Sequence, residues 1–409
     1  MRAGKQDLWL FTMRFPHGTG EAFLENELPV LCERFQKVVI LPMFPGEGQR
    51  PLPPNAEVVH AVPEPYRGAG VVQLLRWWSG YRALMKSLKK DRPNNAPSTV
   101  PRAMLRSRAR QAIQRAGALQ ERMFRTFDPQ HTVLYSYWTH DWITVLGLLA
   151  MRDPRIRPVS RAHGFDLYEE RAADGWIPFR HFQMEHVDRI FCVSQAGLDH
   201  LNRRYPGQHD RFLLARLGTT DHGLAPWSPV GTLRLVSCSN LVPLKRVDLL
   251  IEALHLTTVP VEWTHFGGGP EQERLRALSA TLPPNVRCQW KGAVTNREIL
   301  EHYRTNPVDL FAHMSSTEGG VPVALQEAAS FGIPLLAADV GGVGEIVGPA
   351  TGILLPAEPS AAQVAAELDR FLSGPFSKSE ARLKIRAAWS ASYRAAANFG
   401  HFCDLLLRS

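Results

Sequence analysis

The sequence predicts two doubly wound α/β domains joined by a linker. Its 409 residues exceed what a single hydrophobic core usually serves. Short apolar runs that suit strands alternate with helical patterns along both halves of the chain. The alternation breaks at 218–231, which is dense in glycine and proline, and then restarts. We therefore predict domains at 1–217 and 232–375, followed by helices at 376–409 that cross back to the first domain.

The first half opens with a strand, a helix and a second strand. DLWLFTM (7–13) suits a strand, FPHGTG (15–20) suits a turn, a helical pattern runs over 21–35, and KVVILPM (37–43) suits the next strand. This order implies parallel strands with covered faces. Further strands are predicted at 132–138, 157–163 and 188–194.

The second half repeats the same architecture. Its predicted strands are 233–239, 261–267, 286–292, 309–315 and 333–339. Its predicted helices are 247–256, 271–282, 297–304 and 322–331. Doubly wound sheets bind ligands at the carboxyl ends of their strands, so we expect a ligand site in a cleft between the two predicted domains.

Composition and cysteine usage are typical of a folded cytoplasmic protein. Hydrophobic residues make up 44% of the chain and charged residues 21%. Five scattered cysteines, with no pair at metal-ligand spacing, predict reduced thiols and no disulfide framework. The longest apolar run, WITVLGLLAM (142–151), is far shorter than the ~20 residues of a membrane span. We therefore predict a cytoplasmic protein that is not integral to the membrane.

The positive charge is concentrated in one region. Residues 82–125 contain twelve lysines and arginines and two acids, a net charge of +10, which leaves −2 for the rest of a chain whose total is +8. One interpretation is a solvated pair of helices. Another is contact of residues 77–125 with an anionic membrane surface. The apolar contacts would then be Trp77, Trp78, Leu84, Leu88, Leu105 and Ile113. We predict no nucleic-acid partner, because no recognised nucleic-acid module accompanies the charge.

The segment STEGGVPVALQEAASFG (316–332) places two carboxylates around the start of a predicted helix. Pro322 suits the first helical turn and Gly332 its end. The free amides at the helix start, after a Gly-Gly loop, form an anion site. Glu327, deeper in the helix, suits a sugar diol that donates two hydrogen bonds. The alternative is that Glu318 is a loop charge and Glu327 a surface residue, and the chemistry of the segment leaves both open.

Other loops at predicted strand ends carry polar groups. NLVPLKR follows a strand of the second half, and its Lys245 would offer a point charge to a phosphate. HFGGGPEQE, with Gly268 in its glycine run, permits close backbone approach to a ligand. In SRAHGFDLYEER, His163 ends a strand, where it is either a hydrogen-bonded core residue or a ligand contact. His140 and Asp141 are similarly placed.

Together these motifs resemble the C-terminal half of the family 4 glycosyltransferases. SNLVPLKRVDLLIEAL, FGGGPEQERL, STEGGVPVALQEAASFGIPLLAADVGGVGEIV and TGILLP follow one another in the family's order between 233 and 356. The first half resembles the family more loosely, through FPHGTGEAFLENEL, RAHGFDLY and FCVSQAGLDHL. The resemblance implies the GT-B fold and a sugar transfer with retention, as in bacterial enzymes of cell-surface polysaccharide assembly.

The resemblance also implies roles for individual residues. Glu318 would contact the donor sugar, Glu327 the nucleotide ribose and Lys245 the phosphates, while His163 would lie near the donor sugar. The residues implied to hold the sugar and phosphates through their backbone, or to form the N-terminal glycine loop, are Gly319, Gly320, Val321, Gly18 and Gly20.

Two positions depart from the family pattern. Asn240 stands where the family carries an arginine that neutralises phosphate, and Arg246 is a nearby substitute. Eight residues separate Glu318 from Glu327, whereas the family usually has seven. The extra residue falls in the Gly-Gly loop.

The function implied is that of a hexosyltransferase with a nucleotide diphosphate sugar, UDP- or GDP-linked, as its donor. The acceptor would be a saccharide or lipid-linked saccharide in polysaccharide or glycoconjugate assembly, either in the cytoplasm or on the inner face of the cell membrane. No Asp-x-Asp motif with nearby ligands stands out, so we predict metal independence and no cofactor. Two alternatives stay open: a non-catalytic nucleotide-sugar-binding protein, which Asn240 favours, and an epimerase or hydrolase acting on a nucleotide sugar.

Overall fold

The structure, a computed structural model, divides the chain into two units. It describes residues 6–18, 20–62, 69–92, 100–125, 127–172 and 175–408. The first unit consists of Met1–Val193, Gly197–Ala215 and Phe399–Ser409, and the second of Ser194–Ala196 and Arg216–Asn398. The main passage from one unit to the next therefore lies at 215–216, just before the glycine- and proline-rich segment.

The closing segment 376–409 is divided between the two units. Its helix Ser379–Tyr393 buries Ile385, Trp389 and Tyr393 in a core of the second unit. Only from Phe399 onward does the chain belong to the first unit, where Phe402 is fully buried. The two helices were predicted as one group because both are rich in alanine. The apolar residues of the first helix belong to a core of the second unit, whereas Phe402 in the last helix belongs to a core of the first unit.

A seven-stranded parallel sheet forms the first unit. Its strands are β1 (Asp7–Thr12), β2 (Val38–Pro42), β3 (Ala56–Val58), β4 (Thr132–Ser136), β5 (Val159–Ala162), β6 (Arg189–Cys192) and β7 (Phe212–Leu214). They lie in the order β3-β2-β1-β4-β5-β6-β7. Its helices are α1 (Leu24–Arg34), α2 (Val71–Arg76), α3 (Trp78–Asp91), α4 (Arg102–Arg122), α5 (Asp141–Ala150), α6 (Arg180–His186) and α7 (Gln195–Arg204).

A six-stranded parallel sheet forms the second unit. Its strands are β8 (Leu233–Cys238), β9 (Val261–Phe266), β10 (Val286–Gly292), β11 (Leu310–His313), β12 (Leu335–Ala338) and β13 (Gly352–Leu355), in the order β10-β9-β8-β11-β12-β13. Its helices are α8 (Val247–Leu256), α9 (Gln272–Ser279), α10 (Asn296–Thr305), α11 (Val323–Ser330), α12 (Ala361–Phe371) and α13 (Ser379–Tyr393). The last helix of the chain is α14 (Ala395–Leu406).

Strand residues alternate between two cores, one on each face of each sheet. In β1, Leu8 and Leu10 pack on one face, while Trp9 and Phe11 pack on the other. A strand covered on both faces needs apolar residues at every position, which explains its continuous apolar run in the sequence. The ten predicted strands are confirmed within two residues at either end. The strands β3, β7 and β13 were not predicted, and β3 and β7 have only three residues each.

Both sheets reverse their strand order at one point. The reversal lies between β1 and β4 in the first sheet and between β8 and β11 in the second. Loops that leave neighbouring strands in opposite directions open a crevice there, at the carboxyl ends of the strands. Each crevice is therefore an expected position for a ligand-binding site.

The basic region folds as the helices α3 and α4, and their apolar residues serve the core. Most of the side chains predicted to touch a membrane are buried. Trp77, Leu84, Leu88 and Ile113 belong to that core or pack against it, and Leu105 is also buried. That part of the prediction is wrong, because these side chains cover the first sheet. Trp78 alone among the six is well exposed, with 52% of its surface accessible.

Candidate active site

The loops after β8 and β11 lie side by side in the second unit because these two strands are paired. The amide of Ser316 donates to the carbonyl of Leu244 over 2.8 Å, which joins the two loops. Lys245 lies in the first loop and Glu318 in the second. The sheet topology therefore brings together two residues that are 73 positions apart in the sequence.

The carboxylate of Glu318 sits between two cationic or donor groups. The Lys245 ammonium donates to its Oε1, and the Nε2 of His313 lies 2.9 Å from the same oxygen. Only 12% of the Glu318 side chain is exposed. Burial alone would raise the pKa of this carboxyl, but the hydrogen bond from His313 and the charge of Lys245 lower it to about 2. Glu318 is therefore ionised and held in place at neutral pH.

The backbone from Glu318 to Val321 rests against a second pair of glycines. A Cβ added at Gly341, whose φ is +54°, would lie 1.9 Å from the carbonyl oxygen of Glu318. One added at Gly342 would lie 2.6 Å from the carbonyl carbon of Gly320. These two residues must therefore be glycines if the Glu318 loop is to keep its path. Their place after β12 could have suggested this role, but the sequence does not show which loop they touch.

Lys245 and Arg246 are neighbours with different environments. Arg246 has φ +44°, a left-handed conformation that turns the chain between Lys245 and α8. The guanidinium of Arg246 donates to the carbonyls of Met314, Ser315 and Ala357 over 2.6, 2.9 and 2.9 Å. Arg246 therefore holds together the loops that contain these three carbonyls. The structure does not support it as a substitute for the arginine that Asn240 replaces. The side chain of Asn240 is exposed.

The glycine run after β9 packs against the loop after β8. A Cβ at Gly267 would lie 1.9 Å from the Ser239 carbonyl oxygen, and one at Gly269 would lie 2.5 Å from that of Leu241. Close packing thus accounts for both of these glycines. A Cβ at Gly268 would meet only ordinary contacts, the nearest at 3.4 Å. Gly268 is consequently the member of the run that loop packing does not explain.

Glu327 lies in the second turn of α11 and is buried, with 6% of its surface exposed. The side-chain amide of Asn296, the first residue of α10, donates to its Oε1 over 2.8 Å. Burial raises the pKa of the Glu327 carboxyl to about 7, against the opposing effect of this hydrogen bond. The interpretation of Glu327 as a surface residue is therefore wrong. Asn296 was not singled out from the sequence, because nothing in its segment marks a partner on another helix.

In the first unit, Glu21 organises the N-terminal glycine loop. Its carboxylate accepts hydrogen bonds from the amides of Met13, Arg14 and Phe15 and from the indole of Trp138, over 2.7–2.9 Å. Glu21 itself has φ +55°, so α1 begins only at Leu24 and not at the predicted position 21. This role of Glu21 was not predicted from the sequence.

The predicted loop residues Gly18 and Gly20 are open to solvent. Gly18 has φ +65°, and a Cβ added at either glycine would meet no atom of the described residues within 4 Å. The left-handed backbone explains Gly18, whereas no close approach of a described residue explains Gly20. Both glycines are exposed, in the loop that follows β1.

His163 follows β5, in a turn that Asp166 fixes. The amides of His163 and Gly164 donate to one oxygen of Asp166, and the amide of Thr139 donates to the other, each over 2.9 Å. The imidazole lies between the rings of Tyr137 and Trp138, at centroid distances of 4.6 and 4.4 Å. Among the described residues neither ring nitrogen has a hydrogen-bond partner, although the residue is buried. The imidazole is thus held by packing, and its Nδ1 lies 3.8 Å from Oδ2 of Asp166.

Residues 228–389 match the family model described as glycosyl transferases group 1. The second unit therefore contains a segment that is similar to the group 1 glycosyltransferases. The resemblance drawn from the motifs is therefore confirmed, and the matched segment contains Lys245, His313, Glu318 and Glu327. Over 196 residues, 45% of this chain and 48% of the relative, the chain is 31% identical to a GDP-mannose-dependent alpha-mannosyltransferase of Mycobacterium tuberculosis. The chain spans about half the length of the curated relatives it matches.

Solved structures of glycosyltransferases share the fold of this chain. HepE of Anabaena, in complex with UDP and glucose, has a TM-score of 0.68 at 16% identity and covers 97% of this chain and 98% of its own. The lipopolysaccharide outer core galactosyltransferase WaaB, in its apo form, has a TM-score of 0.65 at 14% identity with the same coverage. These similarities confirm the predicted GT-B fold. Among the described residues, no group of three or more His, Cys, Asp or Glu side chains is placed to hold a metal ion, and metal independence stays a prediction.

Proposed function

We propose that this protein transfers a hexosyl group, with retention, from a nucleotide diphosphate sugar to an acceptor hydroxyl. The observation that carries the proposal is the buried, ionised Glu318 held by Lys245 and His313 at the reversal of strand order, inside the segment that matches glycosyltransferases. UDP and GDP are the nucleotides to consider, because one relative is named as GDP-mannose-dependent and HepE was solved with UDP. A saccharide or lipid-linked saccharide is the acceptor class that we propose.

In the proposed reaction the site works by binding and orientation. The amides of Gly319, Gly320 and Val321, near the start of α11, and the charge of Lys245 stabilise the diphosphate as it departs. Glu318 orients the donor sugar. The bond from the anomeric carbon to the phosphate oxygen breaks as the acceptor oxygen attacks the same face, and the leaving phosphate takes the acceptor proton.

The remaining residues are assigned to binding. Glu327 accepts from the ribose hydroxyls, and Asn240 and Gly268 border the nucleotide. His163 contacts the donor sugar, and Gly18 and Gly20 form the glycine loop. Arg246 is not part of the proposal, because three backbone carbonyls already hold its guanidinium.

The experiment that tests the function is a transfer assay with the full chain. A panel of UDP- and GDP-sugars is first screened by thermal shift, since a ligand that binds the folded state raises its apparent stability. The donors that bind are then incubated with and without a bacterial saccharide extract. Transfer only when acceptor is present supports the proposal. Free sugar or an epimer from donor alone would favour the hydrolase or epimerase, and donor binding without any product would favour the binding protein.

We expect donor binding to strengthen as the pH rises through about 7. Burial raises the pKa of the Glu327 carboxyl to about 7. This carboxyl must be ionised to accept hydrogen bonds from two ribose hydroxyls. Protonation at lower pH therefore weakens binding, while the Glu318 carboxyl, with its pKa of about 2, stays ionised. The dissociation constant of the preferred nucleotide sugar, measured by calorimetry, should rise roughly tenfold from about pH 8 to about pH 6.

Glu327→Gln should remove this pH dependence. Glu301→Gln, at an exposed position of α10 where the side chain pairs only with Arg304 on the surface, is the matched control and should keep it. An unchanged pH slope in Glu327→Gln would refute the ribose assignment, because the titrating group would then lie elsewhere.

An anionic lipid surface is the partner we propose for an exposed apolar face on α2 and α3. Its members are Val71, Val72, Leu75 and Trp78, with 73%, 74%, 68% and 52% of their surfaces exposed. Along α3, Arg82, Lys86 and Lys89 follow Trp78 at helical spacing and are exposed. Apolar side chains beside lysines and arginines suit the headgroup region of an anionic membrane. No described helix has the length and apolarity needed to cross a membrane.

Vesicle co-sedimentation tests this surface. We expect the protein to pellet with vesicles that contain anionic lipid and much less with zwitterionic ones. The double variant Val72→Asp with Leu75→Asp should lower binding at least about tenfold, because it removes two apolar contacts and adds two like charges. Leu383→Asp, at an exposed leucine of the second unit, should bind as the native chain does. Equal pelleting on both lipids, or equal loss in both variants, would contradict the proposal.

A further inference from the structure

A cavity of about 230 Å³ lies in the first unit and shares no residue with the donor site proposed in the second unit. Phe44, which follows β2, and His140 and Asp141, which follow β4, line it together with Arg108 and Arg115 from α4. It therefore opens at the carboxyl end of the sheet, next to the reversal of strand order. Its volume is that of about eight water molecules at ~30 Å³ each, enough for a group of one sugar ring.

The described residues that line this cavity carry more positive than negative charge. Arg108 and Arg115 supply two guanidinium groups, and Asp141 supplies one carboxylate. The two arginines are seven residues apart on α4 and so lie on one face of the helix. Burial alone would raise the pKa of Asp141, but the charges of His140, Arg115 and Arg108 lower it. The carboxylate is therefore ionised, and it shares the described lining with two guanidinium groups.

Arg115 is buried beside an aromatic ring of the cavity. Only 5% of its surface is exposed, and its guanidinium carbon lies 5.6 Å from the ring centre of Phe44. An arginine beside an aromatic ring has few rotamers left to lose on binding, and its planar fork matches a carboxylate or a phosphate. The cavity thus presents an ordered anion-recognising group together with an aromatic wall.

A series of ring contacts joins this cavity to His163. The ring centres of His140 and Phe165 are 5.6 Å apart, those of Phe165 and Trp138 are 4.7 Å apart, and those of Trp138 and His163 are 4.4 Å apart. The cavity and the imidazole therefore lie at the same edge of the first sheet. A ligand anchored in the cavity would reach towards the residue assigned to the sugar-transfer site.

We propose that this cavity binds the anionic group of an acidic saccharide, a carboxylate or a phosphate, and that this saccharide is the acceptor. The identity of the ligand as acceptor rests on the proposed function, whereas the anion site itself does not. Arg108 and Arg115 make the charge-assisted hydrogen bonds to the anion, and Phe44 covers the face of the sugar ring. Two of the twelve lysines and arginines of the basic region then serve a ligand.

Binding of small probes to the full chain without donor tests the site. The probes are glucuronate, glucose 6-phosphate and glucose, measured by calorimetry in the native chain and in three variants. We expect both acids to bind and glucose not to. Arg108→Gln should weaken the acids at least about tenfold, as loss of a charge-assisted hydrogen bond predicts. Arg115→Lys keeps the charge but loses the fork and should also weaken them. Arg106→Gln, an exposed arginine of α4 outside the cavity, is the matched control and should bind them unchanged.

The two acids separate the possible sources of the anion. Tighter binding of glucuronate identifies a carboxylate, and tighter binding of glucose 6-phosphate identifies a phosphate. The proposal is overturned if neither acid binds saturably, if glucose binds equally well, or if Arg106→Gln and Arg108→Gln weaken binding alike. The proposed function is judged separately: transfer in the assay without anion binding removes this inference alone, and anion binding without transfer to any acceptor removes the acceptor role alone.

Discussion

Glu318→Ala should abolish sugar transfer without unfolding the chain. The carboxylate is ionised and fixed by His313 and Lys245, so it is oriented before the donor arrives. Loss of such a preorganised group lowers turnover by roughly a hundredfold to a thousandfold. Initial rates of transfer from the preferred nucleotide sugar, at saturating acceptor, measure the effect.

The same variant should have a different effect on nucleotide binding. Without a donor, Lys245 is paired with Glu318, and a phosphate must compete with that carboxylate. Removal of Glu318 frees the ammonium, so the affinity for UDP or GDP alone should stay the same or rise by up to roughly tenfold. Loss of nucleotide binding together with transfer would mean that Glu318 only holds its loop in shape.

The control for this prediction is Glu301→Ala. Glu301 is exposed on α10, and its pair with Arg304 is a surface contact of little energetic value. Its variant should keep both transfer and nucleotide affinity. Thermal unfolding of the two variants and the native chain shows whether the fold is intact, and native turnover by folded Glu318→Ala would remove Glu318 from the mechanism.

The strands could be predicted because a strand buried on both faces needs an apolar residue at every position. Leu8 and Trp9 belong to different cores, yet both must be apolar, so β1 reads as an unbroken run. The short strands β3 and β7 lie at the edges of the sheet and have three residues each, which is too few to form a recognisable apolar run. The predictable part of the fold is therefore the part that buries the most apolar surface.

The sequence predicted site residues within single segments, but not the contacts between segments. Lys245 and Glu318 were identified from their own loops, but His313 was not, because its role depends on a loop that returns to the strand end. Arg246 shows the limit most clearly. It adjoins Lys245 in sequence, but a left-handed backbone angle directs its side chain to three carbonyls. Sequence adjacency carries no information about that direction.

Breaking the buried ion pair between Glu27 and Arg161 should destabilise the first unit by about 3–5 kcal/mol. Both side chains are fully buried, and the Tyr135 hydroxyl donates to Glu27 over 3.0 Å. Glu27→Ala would leave the Arg161 guanidinium buried without its counter-charge. That guanidinium also donates to the Ala215 carbonyl and lies over the ring of Phe402 at 4.0 Å, so it has little freedom to move towards water.

Hydrogen exchange read by mass spectrometry measures this loss unit by unit, which suits a chain whose two units need not unfold together. Peptides from β1, β4 and β5 should lose protection in Glu27→Ala, whereas those from β8 to β13 should not change. The control is Glu57→Ala, which removes a surface ion pair with Lys37. Both side chains of this pair are about half exposed, so its loss should lower the free energy of unfolding by at most about 1 kcal/mol.

A double variant decides whether the pair or the individual side chains carry the effect. Glu27→Leu with Arg161→Met removes both charges and leaves no buried ion to compensate, so most of the lost protection should return. If the double variant is as unstable as Glu27→Ala, the hydrogen bond to Ala215 and the packing on Phe402 hold the unit, and the ion pair does not. If it recovers, Glu27 and Arg161 are needed only because each neutralises the charge of the other.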